Sequence, residues 1–286
     1  MKHRAIKDLN QLADNDCYRE ISQGLDAIYE NCIELNRSYR FLVEAEHFRA
    51  SRVLKLVLKE EAAKYLILVD ALRCPRKNKI EFARQLGKFN DHLAKGLYAE
   101  LCNWKPDTYS RLCEYIENSL DSLYLDGPNG VDFIFRNRII SEREETFYVD
   151  YAKGDDSYFW LSPKSYDISD ELSLSFSSNM SVVRMVMALH NIGITRMENL
   201  ILFSNFWRDF VFDESTRYQI FREANYNFLQ ILESKGALKD NEASDSDFSL
   251  IINDLPFPLY KEEMKVKEVN LNDLKEQQRN WSPDYY

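Results

Sequence analysis

Long apolar runs are missing from this chain of 286 residues. Its longest, around residues 65–69, is five residues, far short of the roughly 20 a helix needs to cross a bilayer. The opening stretch, MKHRAIKDLNQLADND, has no apolar core of the kind that directs secretion, so a cytoplasmic location is expected. Glycine and proline are scarce, at eight and seven. That excludes collagen-like repeats and long linkers, and leaves little scope for a glycine-rich loop that cradles a nucleotide. No GxxxxGK[ST], strand-linked GxGxxG, HExxH or GxSxG occurs, so the common marks of nucleotide, zinc-protease and serine-hydrolase chemistry are absent. The five cysteines are odd in number and show no CxxC spacing, which argues against a zinc site. Cys32 and Cys113 fall on apolar helical stripes and read as buried thiols. An excess of basic charge is also lacking. The formal net charge is −10, so any nucleic-acid site must be a local basic patch.

What is present is a helical pattern. Apolar residues make up 45% of the chain, enough for a substantial core. Residues 51–72 organise the rest. Leu54, Leu58, Glu61, Tyr65, Leu68 and Leu72 repeat at steps of four and three on one stripe. Val53, Val57, Glu60, Lys64, Ile67 and Ala71 form the adjoining stripe. A helix apolar on two stripes is a central one. Charge inside it is costly unless paired. Glu60 and Lys64 stand in the favourable order for an i,i+4 ion pair, so the segment is either a satisfied structural pair or a set of reactive groups.

Before it, residues 1–14 are polar and expected to be frayed. Residues 16–46 predict a long helix whose seam is Leu25, Ile28, Cys32, Leu35, Tyr39 and Leu42. Pro75 ends the central helix, and the two form an αα-hairpin. A third helix is expected over 78–101, with Arg84, Lys88, His92 and Lys95 on its polar face. A fourth runs from Pro106, in its first turn, to about 123. Asp126 to Gly130 signals a turn, followed by a short helix over 131–143. Aromatic and β-branched residues at 146–151 and 157–161 predict a β-hairpin closed at Pro163, which should pack on the helices. Further helices are expected over 181–191, 196–206 and 214–233. Residues 236–250 read as an acidic loop, 255–260 as an extended apolar segment lying on the body, and 270–279 as a polar helix. The expected organisation is therefore a flexible 1–14, a helical bundle over 15–145, the hairpin at 146–165, and a helical extension over 166–286. The last is either part of the same domain or a separate one.

Three places carry potential chemistry. From Arg73 to Lys95 there are seven Lys or Arg against two acids, a reversal of the chain's overall sign. It suits an RNA or phosphate contact, or else a solvated face or a surface for the acidic tail. His92 lies on that face. A histidine serves as base and acid near neutral pH, and a cation stabilises the phosphorane charge of RNA cleavage. Lys95, Arg84 or Lys64 would supply the cation. Read alone, a single helical histidine is structural. His190 follows Arg184 by six positions, which on a regular helix is about 240°, so the two do not share a face.

Taken in order, these motifs resemble the AbiV abortive-infection family. They are the Glu60-Glu61-x-x-Lys64 helix, then Phe89-x-x-His92-x-x-Lys95, then Tyr148-Val149-Asp150-Tyr151 with Trp160 and Pro163. The resemblance covers about residues 20–165. It implies a mainly α, HEPN-like antiparallel bundle with one small β-hairpin at about 146–161 and further C-terminal helices. It also implies a phage-defence effector that arrests translation in infected bacteria. Many HEPN proteins are metal-independent ribonucleases with an Arg-x4–6-His motif. Here Arg84 to His92 leaves seven residues between, one too many. Arg184 to His190 has the spacing but follows the arginine with apolar Met185 and lies outside the matched region.

The resulting expectation is an RNA-directed site of Glu61, Lys64, His92 and Lys95, with Arg84 and Lys88 binding RNA, and with no metal and no cofactor. The alternative is a non-enzymatic protein that blocks translation when activated by a phage protein. The expected partners are a second copy in a homodimer, RNA or the translation machinery, and a phage-encoded activator, with no membrane.

Overall fold

The computed structural model describes residues 5–121, 123–125, 134–153, 157–163, 180–239, 242–267, 270, 272–273 and 276. The protein is mainly α, with a small antiparallel hairpin. Helix α1 (Asp14–Glu44) and helix α2 (Phe48–Arg73) form the αα-hairpin that the two apolar periods predict. The seam of α1 is used within the chain: Leu25, Ile28, Cys32 and Tyr39 are buried, and α1 packs along α2. Helix α2 is the centre. From Ala62 to Arg73 only Lys64 escapes full burial, and five further α-helices lie against α2. Its Glu60, Glu61 and Lys64 sit at the border between half-buried and sealed halves rather than in the core.

The expected third helix is two helices. Helix α3 (Lys79–Gly87) ends in a short 3-10 turn over Lys88–Asn90, and α4 (His92–Leu101) begins afresh. Asp91 makes the break, because its side chain caps α4 by accepting from the Ala94 N–H at 3.0 Å. Helix α5 (Tyr109–Asn118) is shorter than expected and is capped by Thr108, which leaves Pro106 outside it. The helix expected over 131–143 is displaced. Residues Leu123–Leu125 (β1) and Ile134–Arg136 (β2) pair antiparallel, and α6 spans Arg138–Phe147. The β-propensity of Thr146 and Phe147 is overridden by the last turn of α6. The expected turn at 126–130 lies outside the described residues.

The main hairpin pairs Asp150–Lys153 (β3) with Tyr158–Leu161 (β4), placing Tyr151 opposite Trp160. Its aromatic side chains are exposed rather than covered by helices. Helices α7 (Ser181–Asn191), α8 (Met197–Arg208) and α9 (Tyr218–Ser234) fall close to expectation. The supposed acidic loop holds a helix, α10 (Asp245–Asp254), started by a Ser244–Asp247 capping box. The polar helix expected over 270–279 lies largely outside the described residues. One apolar cluster runs from α1 through α2 to α10 and Met264.

The basic run of 73–95 has an unexpected use. It grips the protein's own terminal segments. Arg76 donates to the carbonyl of Leu12 at 2.9 Å and pairs with Asp14, and Lys79 donates to the Asn10 carbonyl. These contacts hold a 3-10 helix over Ala5–Gln11, where fraying was expected. Arg73 donates to Pro256 O, Lys88 to Leu259 O at 2.6 Å, and Arg84 to Tyr260 O and Lys261 O. Asp70 completes the clamp by accepting from the Leu259 N–H at 2.6 Å and the Tyr98 hydroxyl at 2.7 Å. The apolar side chains of Leu255, Phe257 and Leu259 are buried beneath. Carbonyl oxygens that the extended 255–260 segment cannot pair in a sheet are satisfied by cationic donors.

Lys88 has a measurable signature. Burial pushes its ammonium down to about 8 from 10.5, with the Asp70 charge opposing. For a base shifted down in the folded state, the cost of burying charge is complete below pH 8. It fades as pH rises toward 10.5, where the unfolded chain has also lost its proton. The unfolding free energy of Lys88→Met minus that of the native chain should therefore be greatest below pH 8 and shrink by about 3 kcal/mol over that window. Urea unfolding at several pH values measures it; a pH-independent difference would mean that no buried ammonium is present.

Candidate functional site

Helices α2, α4 and α6 meet at Glu60. The new start of α4 at His92 turns that histidine toward α2, and Lys95 follows one helical turn later. The His92 Nδ1 lies 2.9 and 3.0 Å from the two carboxylate oxygens of Glu60. Lys95 Nζ donates to Glu60 Oε2 at 2.7 Å, and Arg143 Nε of α6 donates to Oε1 at 3.1 Å. One carboxylate thus holds three basic groups. Burial pushes the Glu60 carboxyl upward, but hydrogen bonds from Lys95 and His92, and their charges, outweigh it and hold the group below its ordinary value.

The proton positions follow from the partners. Lys95 Nζ also lies 3.2 Å from His92 Nδ1. An ammonium only donates, and Nδ1 facing an ionised carboxylate must donate too. The bond that counts is Nδ1–H to Glu60, so the lone pair of the neutral imidazole is on Nε2. His92 is 45% exposed, whereas Lys95 is only 5% exposed. Nε2 has no hydrogen-bond partner among the described residues. The arrangement is a carboxylate-oriented histidine beside two cations.

These groups line a cleft of about 60 Å³ whose walls include Leu56, Lys59, Ile139, Glu100 and Glu142. That is far smaller than the roughly 300–1,000 Å³ of a small-molecule pocket, and it suits a group presented by a larger molecule. Gly96 lets the third wall come close: a Cβ there would stand 2.2 Å from Ile139 Cγ2 of α6. On the same side Glu100 takes hydrogen bonds from Arg138 at 2.7 Å and the Tyr115 hydroxyl at 2.8 Å. Gly96→Ala should push α6 away, lengthen the Arg143–Glu60 contact and cost about 1–3 kcal/mol. Thermal unfolding reads the loss, and an unchanged melting point would show that α6 does not rest on α4.

The structure brings together His92 and Lys95 of the expected site and separates the rest. Lys64 pairs with Glu61 at 2.6 Å, not with Glu60, and its ammonium lies 5.4 Å from the Phe89 ring centre. Glu61 is turned toward α1, where its charge adds to burial in pushing the Cys32 thiol up to about 12. The expected grouping of Glu61 with His92 and Lys95 is therefore corrected: the carboxylate that meets them is Glu60. Arg84 and Lys88 both donate to carbonyls of the tail; Lys88 is 4% exposed and is not presented to solvent for RNA, whereas Arg84 stays about a third exposed. Sequence reasoning missed Arg143, which a helix expected to end there gave no reason to place. His190 stacks on Tyr29 at 3.5 Å, with Lys239 Nζ 3.3 Å from its Nε2, and burial lowers its pKa. Arg184 is exposed. Among the described residues no three His, Cys, Asp or Glu side chains gather as metal ligands, and no helix is long and apolar enough to cross a membrane.

Fold and site together define a mainly α-helical protein with a Glu–His–Lys–Arg cluster in an open cleft between three helices. No protein-family model matches the chain, and no curated protein or solved structure matches it either.

Proposed function

We propose that the protein is a phage-defence effector that arrests translation by cleaving RNA, with the Glu60–His92–Lys95–Arg143 cluster as its site. The observation that carries the chemistry is the Glu60–His92 bond, which engages Nδ1 and leaves Nε2 unpartnered among the described residues, on a histidine that lines the cleft. In the reaction Nε2 takes the proton of a ribose 2′-hydroxyl, and the 2′-oxygen attacks the adjacent phosphorus. The bond from phosphorus to the 5′-oxygen breaks, that oxygen takes a proton from water, and the hydroxide left behind takes the proton from Nε2, restoring the neutral imidazole. A 2′,3′-cyclic phosphate and a 5′-hydroxyl result. Among the described residues Arg143 holds Glu60 through Nε alone, so its two terminal amino groups remain for the phosphate oxygens. Lys95 keeps Glu60 ionised and adds positive potential where charge develops. Phage defence itself rests on the resemblance to abortive-infection proteins.

The test is induction of the chain in bacteria with labelled amino-acid incorporation as the readout. Arrest by the native chain and none by His92→Ala at equal protein level is expected. Equal arrest by both would favour a second reading, a non-enzymatic blocker of translation. Its support is that Glu60 and Lys95 already satisfy each other, as a purely structural network would. Homodimer assembly and release by a phage-encoded activator belong to the same proposal. The α1 seam is buried within the chain, so a dimer must use another face. A monomer in sedimentation at micromolar concentration would remove that part.

A further inference from the structure

Helix α6 links the cleft to an exposed aromatic strip. Arg143, bound to Glu60, lies with its guanidinium 4.9 Å from the Phe147 ring centre. Phe147 contacts Tyr148 at 5.9 Å, and two residues later β3 begins. On one face of the hairpin Tyr151 stands 4.8 Å from Trp160, across the strands, and 5.7 Å from Tyr158, nearly parallel to it. Trp160 is 68% exposed and Tyr151 55%. Cross-strand aromatic pairs support a hairpin, but that does not explain why the Trp160 and Tyr151 rings are left open to water.

We infer that this hairpin face is a stacking platform for single-stranded RNA, which delivers the strand's phosphates to Arg143 and the cleft. Three features favour that occupant. Bases stack on aromatic rings whatever their sequence. The local cations that the phosphates need are present in the cleft, on Lys95 and Arg143, although the chain as a whole carries −10. The platform is also small: two strands of four residues extend about 13 Å and lie about 5 Å apart, well short of the roughly 800 Å² a stable protein partner covers. The delivery step rests on the RNA-cleaving reading of the cleft; the binding step does not.

The test uses the full chain and a short, labelled single-stranded RNA of mixed sequence, with anisotropy as the readout. Its variants are native, His92→Ala, Tyr151→Ala/Trp160→Ala and Tyr151→Phe/Trp160→Phe. The alanine pair should weaken binding at least tenfold. The phenylalanine pair should stay within about threefold of native, because it keeps the rings. His92→Ala should bind like native, which separates platform from cleavage: a chain that binds RNA through the rings but never cuts it would sink the cleft reading alone. Equal binding by native and alanine-pair chains, or no RNA binding by the native chain, overturns the platform. So does an alanine pair that leaves RNA binding intact but changes the sedimentation mass, because the face would then belong to a second copy.

Discussion

Asp70→Ala should lower the unfolding free energy by about 3–5 kcal/mol, the range for removing one partner of a buried ion pair. Asp70 and Arg73 are both about 3% exposed by side chain, and their contact is 3.3 Å. Without the carboxylate, Arg73 keeps, among the described residues, only the Pro256 carbonyl and the faces of Trp207 and Phe203, at 4.5 and 5.6 Å. Burial already presses its guanidinium toward the neutral form. The Leu259 N–H and the Tyr98 hydroxyl would lose their acceptor at the same time. Asp70→Asn should do little better, because its amide donors would face two other donors. Tyr98→Phe removes the bond to Asp70 and the one its hydroxyl accepts from Gln85 Nε2 at 2.8 Å, which keeps the Ile67 carbonyl, and should cost about 1–3 kcal/mol. Urea unfolding followed by tryptophan fluorescence orders the three. A loss for Asp70→Ala no larger than for Tyr98→Phe would mean that the clamp on residues 255–260 does not hold the tail.

His92→Ala should reduce RNA cleavage by about 10²- to 10⁴-fold, the usual contribution of a positioned acid–base group. The fold should survive, since the imidazole is half exposed and caps nothing. Glu60→Gln should also lose most of the rate, for a different reason. A glutamine oxygen can still accept from Nδ1, but the neutral side chain no longer stabilises the imidazolium that forms. It also leaves the nearly buried Lys95 without its counter-charge, so this variant should melt lower than His92→Ala. Melting curves and initial rates on the same preparations separate the two effects.

The fold was legible where periodicity is long. The α1–α2 hairpin and helices α7 to α9 follow from apolar spacing over several turns. Boundaries set by single caps were not read. Asp91 is an ordinary N-cap residue, yet an unbroken apolar period from Ile80 to Leu97 hides it; the asparagine and aspartate at 90 and 91 were the available signal. Ser244 and Asp247 form a capping box inside a stretch whose acidity suggested a loop. Of the site, His92 and Lys95 were found through their spacing. The choice of Glu61 over Glu60 failed because one helical step decides which neighbour a side chain meets. That depends on where α4 packs, and Gly96 was its only local mark. The basic run was visible, but its purpose was not, because main-chain carbonyls 170 or more residues away leave no trace in local charge.

The central claim is that Glu60, not Glu61, drives the histidine. Initial rates of RNA cleavage by Glu60→Gln and Glu61→Gln, each against the native chain, test it most directly. The proposed chemistry predicts a loss of at least tenfold for Glu60→Gln and a rate within about twofold of native for Glu61→Gln. The reverse order, or equal rates for both variants, would contradict it.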